Sequence, residues 1–490
     1  MLSGTNTELK HKDIWAGALI VLFLIAFNVN LVFNATELNI VLLGLVFFVL
    51  LTYLLLRKRE QLYYLLVFTI PLSITFPIGE GNTLNGPSEL ICAFLSLYFL
   101  IVYLNGTSVS KELIKHPLSI LLLFDLLWML ITALGSQMPE VSIKRWIIRA
   151  VYLCVYYFMF SELFLKDMKK IPKLLIYYCL GLIVPIAYYL YQHQQIGFAI
   201  QGSTAFSRPF YNDHTVYGAV LVFFLPFLYY YTFRYVQNFT YRLFYILLAV
   251  FILAASFFSY SRAAWLSLLC AFAVYLVFKW KIKTRTIVLG LFAVAIAGLV
   301  IGGSLMESFS RNKVKSHGGD VGQHFKSMTN ISTDASNVER INRWKCAWRM
   351  FEDKPLMGFG PGTYQFYYGQ FQVSSDLNYH STYAGDKGHA HSEYLNYLSE
   401  TGLPGLLIFI AIMVMVGKTA SFNIRRNYAD KQNSHLTMVL YMGLITFYIH
   451  SFFNGFIESD KMAMPVFTSI AALVAIDIGS KRAEAKMTLN

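Results

Sequence analysis

The sequence predicts an all-α integral membrane protein with about fourteen transmembrane helices, one large outward loop domain and both termini in the cytoplasm. Three observations lead there. Of 490 residues, 56% are hydrophobic and 17% aromatic, and only 14% are charged, where soluble domains carry about 25%. Apolar runs of about 17 to 22 residues recur along the chain, enough to cross a hydrocarbon core of about 30 Å as helix. Helix is the form that leaves no backbone group unpaired in lipid. Lys and Arg, finally, concentrate on alternate connections between these runs, as the positive-inside rule requires.

Taken in order, the expected spans are 13–33, 38–56, 61–78, 88–104, 117–135, 144–165, 171–191, 213–233, 241–259, 262–279, 285–304, 402–417, 436–456 and 462–478. The first run is too long for a signal-peptide core and lacks a small-residue cleavage site, so it should stay as helix. With the N-terminus inside, the inner connections hold Lys10, Lys12, Arg57, Lys58, Arg59, Lys166, Lys169, Lys170, Lys279, Lys281, Arg425, Arg426, Lys481 and Arg482, among others. Four parts result: residues 1–304 with eleven helices and an outer loop near 192–212; an outer loop domain at 305–401; three further helices at 402–478; and a cytoplasmic tail at 479–490.

The net charge of +13 follows from topology and anionic lipid and requires no nucleic-acid partner. Of the five cysteines, Cys92, Cys154, Cys179 and Cys270 fall within apolar spans, so Cys346 has no outer partner for a disulfide. No internal repeat suggests a transporter built from inverted halves.

Charge at the outer face marks candidate function, because ionisable groups at membrane depth are expensive. Lys144, Arg145 and Arg149 open the sixth span, Arg208 stands in the 192–212 loop, and Arg262 begins the tenth span. Lys144 and Arg149 read as side chains that snorkel to lipid phosphates. Arg145, Arg208 and Arg262 read instead as a diphosphate grip, since guanidinium forks match phosphate oxygens bidentately. A diphosphate recognised at a lipid surface suggests one that carries a lipid.

Within the loop domain, residues 305–335 are polar and read as an insertion with no assigned role. From Asn337 the pattern turns helical, with Val338, Ile341, Trp344, Cys346, Ala347 and Trp348 as an apolar stripe and Arg340 and Arg343 as helical neighbours. The helix should stop before Pro355, and Gly358-Phe359-Gly360-Pro361-Gly362 should make a tight turn. Tyr364, Tyr367 and Tyr383 head a run of aromatics among amides and hydroxyls. Such a run suits either sugar faces or an interfacial belt. His391 then opens a helical stretch that breaks at Gly402 and Gly405, where an imidazole can exchange a proton near neutral pH. His380, His389 and His391 lack the helical spacing, thiolates and acidic partners of a metal site.

In their order these residues resemble the bacterial O-antigen ligase and polymerase superfamily of membrane glycosyltransferases. The resemblance is carried by Arg340-x3-Trp344-x2-Ala347, Pro355-Leu356-x-Gly358-x-Gly360-x-Gly362, His391-x3-Leu395 and Glu400-x-Gly402-x2-Gly405. Pro87-Ser88-Glu89, Lys144-Arg145, Arg208 with Asn212, and Ser261-Arg262 add shorter motifs. Ser392 departs from the pattern, in which Asn often follows the histidine.

The resemblance implies transfer of a glycan from undecaprenyl diphosphate at the periplasmic face of the bacterial inner membrane. The acceptor would be lipid A-core for a ligase, a second lipid-linked unit for a polymerase, or a protein hydroxyl for an oligosaccharyltransferase. It implies His391 as base, arginines on the diphosphate, and neither metal nor nucleotide sugar; an inverting transfer that needs no cofactor is the working expectation. Two competing readings fare worse. A transferase using polyprenyl monophosphate sugars typically places acidic residues in the first outer loop, here too short at 34–37. A lipid-glycan transporter needs charges along a path, and Asp125 is the main mid-span acid.

Overall fold

The computed structural model describes residues 36–77, 83–106, 109–198, 205–283, 285–286, 335–377, 381, 388–426 and 430–489. The expected first span, nearly all of 285–304, and the insertion up to residue 334 lie outside the described residues. The chain divides into two units, residues 1–66 and 67–490.

The first unit carries α1 (Thr36–Arg57), at the expected 38–56, and most of α2 (Arg59–Thr69). Leu45, Phe48, Val49 and Tyr53 of α1 are exposed, the pattern of a lipid-facing helix.

The expected span 61–78 is corrected. α2 is 11 residues long, about 16 Å of helix, too short to cross. Pro71 follows it closely, and Ile74-Thr75-Phe76 favours strand. β1 (Ile74–Pro77) therefore pairs antiparallel with β2 (Thr83–Gly86), Ile74 opposite Gly86 and Phe76 opposite Leu84.

Beyond the hairpin, α3 spans Ser88–Leu104, as expected from hydropathy, and a short α4 spans Lys111–Ile114. α5 (Pro117–Leu134) begins with Pro at its first turn, and the His116 side chain accepts from Leu118 N, which suits an N-terminus. α6 (Pro139–Tyr152) continues through a π-helical stretch, Leu153–Met159, into α7 (Phe160–Lys166). α8 (Lys170–Gly181) and α9 (Ile183–Gln195) follow, then α10 (His214–Tyr230), α11 (Phe239–Phe258) and α12 (Arg262–Lys279). The loop domain contributes α13 (Ala335–Asp353) and α14 (Tyr364–Tyr367); α15 (Glu393–Arg426), α16 (Lys431–His450) and α17 (Asp460–Leu489) return to the bundle. Among the described residues, eight helices are long and apolar enough to cross a membrane.

α17 is the axis of the bundle. Of its most apolar window 94% is buried, against 22% for Phe239–Phe258 and 17% for Arg262–Lys279. Its Ala463, Ala471, Ala472 and Ala475 are fully buried, and small residues let neighbouring helices approach closely without a hydrophobic driving force. α5, α16 and α17 all pack on α15.

The two ends of these helices differ in chemistry. At one end Arg426 pairs with Asp477 at 3.3 Å and Glu484 at 2.7 Å, Lys481 with Asp477 at 2.6 Å, and Arg482 with Glu112 at 2.7 Å. The other end carries the loop domain. From Gly402 to Arg426, α15 runs about 36 Å, the depth of a hydrocarbon core with its margins.

The boundary between loop domain and bundle lies at Gly402, with φ 71° and ψ −175°, a conformation that only glycine adopts readily. A Cβ there would lie 2.2 Å from the Leu356 carbonyl oxygen. Gly402→Ala should therefore destabilise the protein by about 2 kcal/mol or more, read as a lower thermal midpoint in detergent; an unchanged midpoint would refute this account of the kink.

Candidate active site

The site is built where three segments of the loop domain meet the ends of the helices. α13 ends at Asp353, before Pro355 as expected, and Gly358, Gly360 and Gly362 all take positive φ. The turn docks on the last residues before the kink. Phe359 N donates to Ser399 O at 3.0 Å, Gly360 N to Glu400 O at 2.8 Å, and Leu403 N to Pro355 O at 2.8 Å. The Glu400 carboxylate accepts from Gly362 N and Tyr364 N, both at 2.9 Å. The glycines are required by proximity: a Cβ on Gly358 would meet the Glu400 backbone at 2.3 Å, and one on Gly360 the Ser136 hydroxyl at 2.3 Å. Ser136 in turn donates to Phe359 O at 3.0 Å.

This clamp fixes Arg145 on α6. A Cβ on Gly362 would lie 2.5 Å from Arg145 Cγ, so the aliphatic stem lies against bare backbone. The guanidinium reaches Glu458 at 2.5 Å, and both side chains are about one-third exposed (30% and 34%).

His391 sits at the entrance to α15, with φ 50°, a left-handed conformation uncommon outside glycine. Four contacts hold the turn. His391 N donates to His389 Nδ1 at 3.0 Å, Trp344 Nε1 to His391 O at 3.3 Å, Ala390 N to Asn396 Oδ1 at 2.9 Å, and Arg343 to His389 O at 3.2 Å. The two imidazoles lie 4.6 Å apart, centroid to centroid. The buried Nδ1 of His391 has no hydrogen-bond partner among the described residues.

Burial, then the cations Arg343, Arg145 and Arg340, push the His389 imidazole down to about 4, with Asp213 opposing. Burial, then His389, Arg343 and Arg340, push His391 lower, to about 2. Both rings are neutral at pH 7. Opposite them, burial alone would raise the Asp213 carboxyl, but hydrogen bonds from His214 and Thr215 hold it well below the usual range.

The sequence-predicted residues thus divide. Arg145, Arg340 and His391 belong to one electrostatic neighbourhood around residues 388–391. Arg343 shares it but is committed to structure: it is 8% exposed, pairs with Glu339 at 2.9 Å and lies 5.0 Å from the Tyr368 ring centre. Arg208 is exposed in its loop, and no side-chain contact joins it to the others among the described residues. Arg262 opens α12 behind the buried Ser259 and Ser261.

The aromatic expectation needs correction. Tyr364 is 1% exposed, stacks on Tyr368 at 5.3 Å and donates its hydroxyl to Arg343 O at 2.8 Å. It belongs to the loop-domain core with Cys346, Ala347, Met350, Phe359 and Ala390, and Tyr367 packs against the same cluster. Tyr383 lies outside the described residues. Trp348, expected in the apolar stripe, is half-exposed and donates to Glu352 at 2.7 Å.

Arg149 is also corrected: instead of snorkelling to lipid it is buried, 3.6 Å from Asp125 and 2.9 Å from the Tyr397 hydroxyl. The mid-span acid of the transporter reading is thereby paired.

Sequence reasoning missed the connection Ser451–Ser459 and its junction with the first turn of α17. It divided this stretch between two spans and a short turn, and the Asn454-Gly455 and Ser459-Asp460 pairs were the signals that could have separated it. Glu393 N donates to Ser451 O at 2.8 Å and Phe456 N to the Glu393 carboxylate at 3.0 Å. Asn454 donates to Thr215 at the start of α10, Glu458 holds Arg145, and Lys461 donates to the carbonyls of Ser73 and Phe210. Phe452, half-exposed, lies 5.5 Å from Trp344.

Residues 247–410 match the family model described as O-Antigen ligase. The match covers about a third of the chain and supports the resemblance to the O-antigen ligase and polymerase superfamily. The matched stretch contains Arg262, Arg340, Arg343 and His391, while Arg145 and Arg208 lie before it. A search of curated proteins finds no match. Among the described residues no group of three His, Cys, Asp or Glu has the geometry to hold a metal ion.

Two outcomes test this architecture. Glu400→Ala strands two amide donors and should destabilise the loop domain by about 2 kcal/mol, with faster hydrogen exchange at Gly362 and Tyr364; unaltered exchange there would contradict the clamp. The histidines give a pH dependence. Both folded-state values lie below the ordinary 6.5, so the unfolded chain binds more protons in acid, and stability present above pH 6.5 is lost as pH falls toward 4. Burial raises the Glu393 and Glu400 carboxyls, which acts in the opposite direction over the same range. The histidine contribution is therefore read as a difference: lowering the pH from 7 to 5 should cost the unaltered chain more of its thermal midpoint than it costs His389→Gln.

Proposed function

We propose that the chain is an inverting, metal-independent glycosyltransferase of the O-antigen ligase type. It moves a glycan from undecaprenyl diphosphate to a hydroxyl of lipid A-core at the periplasmic face of the inner membrane. The observation that carries the reading is the meeting of a neutral histidine, at a rigid turn, with the cations Arg145 and Arg340.

In this reading His391 takes the proton of the acceptor hydroxyl, the oxygen attacks the anomeric carbon, and the lipid diphosphate leaves. Arg145 and Arg340 hold the phosphates, with Arg208 from its loop and Arg262 from the start of α12 completing the grip. Contacts that strengthen as the leaving group gains charge lower the barrier. A base held at about 2 is weak for work at pH 7. Burial is the first cause of that depression, and the cations Arg343 and Arg340 contribute after it; a bound diphosphate that neutralises Arg340 relieves part of the cationic contribution. His391 thus gains basicity when the donor is in place.

His391→Ala, assayed for transfer from purified lipid-linked glycan, should lose at least about 100-fold in rate; unimpaired turnover removes His391 from the mechanism. The acceptor is read from a deletion strain. Loss of all capped lipid A-core supports the ligase, whereas single-repeat capping indicates a polymerase and underglycosylated protein an oligosaccharyltransferase.

A further inference from the structure

Arg145, placed here on the donor diphosphate, already has an anion. Its guanidinium lies 2.5 Å from the Glu458 carboxylate, and its stem is pinned against Gly362. The Glu458 backbone is anchored separately, its carbonyl accepting from the Tyr152 hydroxyl at 3.5 Å. The carboxylate is about one-third exposed (34%), so it can swing into water at little cost. Glu393 and Glu400 stand close enough for its charge to be felt by both.

We infer that Glu458 is a competing counter-ion that the donor diphosphate displaces from Arg145, and that it sets donor affinity. The inference rests on the reading of Arg145 as a diphosphate ligand. A phosphate oxygen pair offers the guanidinium fork two charge-assisted bonds in place of the contact to Glu458. The exchange needs no proton and no movement of Arg145, whose stem stays against Gly362. Its consequence for affinity runs opposite to that of a positioning residue. Removing the charge of Glu458 takes away both the competitor for Arg145 and a repulsion on the incoming phosphates, so binding should tighten. A carboxylate whose role was to aim Arg145 would give weaker binding when neutralised.

The probe is farnesyl diphosphate, titrated into the purified full-length protein in detergent. For Glu458→Gln the dissociation constant should fall by about two- to fivefold, the range of a partly exposed ion pair. Glu458→Ala should move the same way, which guards against an effect peculiar to the amide. Arg145→Gln should weaken binding, and the tightening given by Glu458→Gln should be smaller in the Arg145→Gln background than in the unaltered chain. If Arg145→Gln weakens binding but Glu458→Gln leaves it equal or weaker, the counter-ion is refuted and the diphosphate reading survives. If Arg145→Gln has no effect, the reading of Arg145 fails and the inference goes with it.

Discussion

The site depends on one buried carboxylate. Glu393 stands at the first turn of α15, 3% exposed, and accepts from Phe456 N while its own amide donates to Ser451 O. These two bonds tie the helix that follows His391 to the connection between α16 and α17. That connection in turn touches the start of α10 through Asn454, Arg145 through Glu458, and the loop bearing Arg208 through Lys461 and Phe210 O. A buried acid is tolerated only when its oxygens are satisfied, so the geometry of Glu393 constrains the backbone on both sides. The histidine turn and the cationic shell are thus referenced to one short segment.

A second constraint acts from the opposite side. The glycine turn at 358–362 and the kink at Gly402 fit together with no room for a Cβ on Gly358, Gly360, Gly362 or Gly402. Four residues with little chemistry of their own therefore bring Glu400 against two backbone amides and Arg145 against Gly362. The pattern of Pro, Gly and Glu that carries the resemblance is here a structural joint. His391 and Arg340, proposed for the chemistry, lie on either flank of it in the sequence.

Much of this was legible in the sequence, for identifiable reasons. Hydropathy located α3 and α12 at their observed bounds because both are continuous apolar runs with polar ends. Glycine and proline marked the turn at 358–362 and the break at 402, since their backbone preferences are local properties. Pairing was not legible. Arg149 at a helix end looks the same whether it reaches lipid or Asp125, because the partner is supplied by tertiary structure. Tyrosines beside amides gave no means of telling a sugar surface from a core, and Tyr364 is core. Ser451–Ser459 was hidden because Phe452, Phe453, Phe456 and Ile457 keep the local hydropathy high through a segment that is not helical.

The central claim is that a lipid diphosphate and His391 share one cavity walled by the loop domain and the helix ends. Cryo-electron microscopy of the full chain in nanodiscs with undecaprenyl diphosphate tests it directly. The account predicts diphosphate density in contact with the Arg145 and Arg340 guanidinium groups, its sugar-bearing oxygen facing the His391 ring. Diphosphate density bound elsewhere, with Arg145 and His391 untouched, would contradict it.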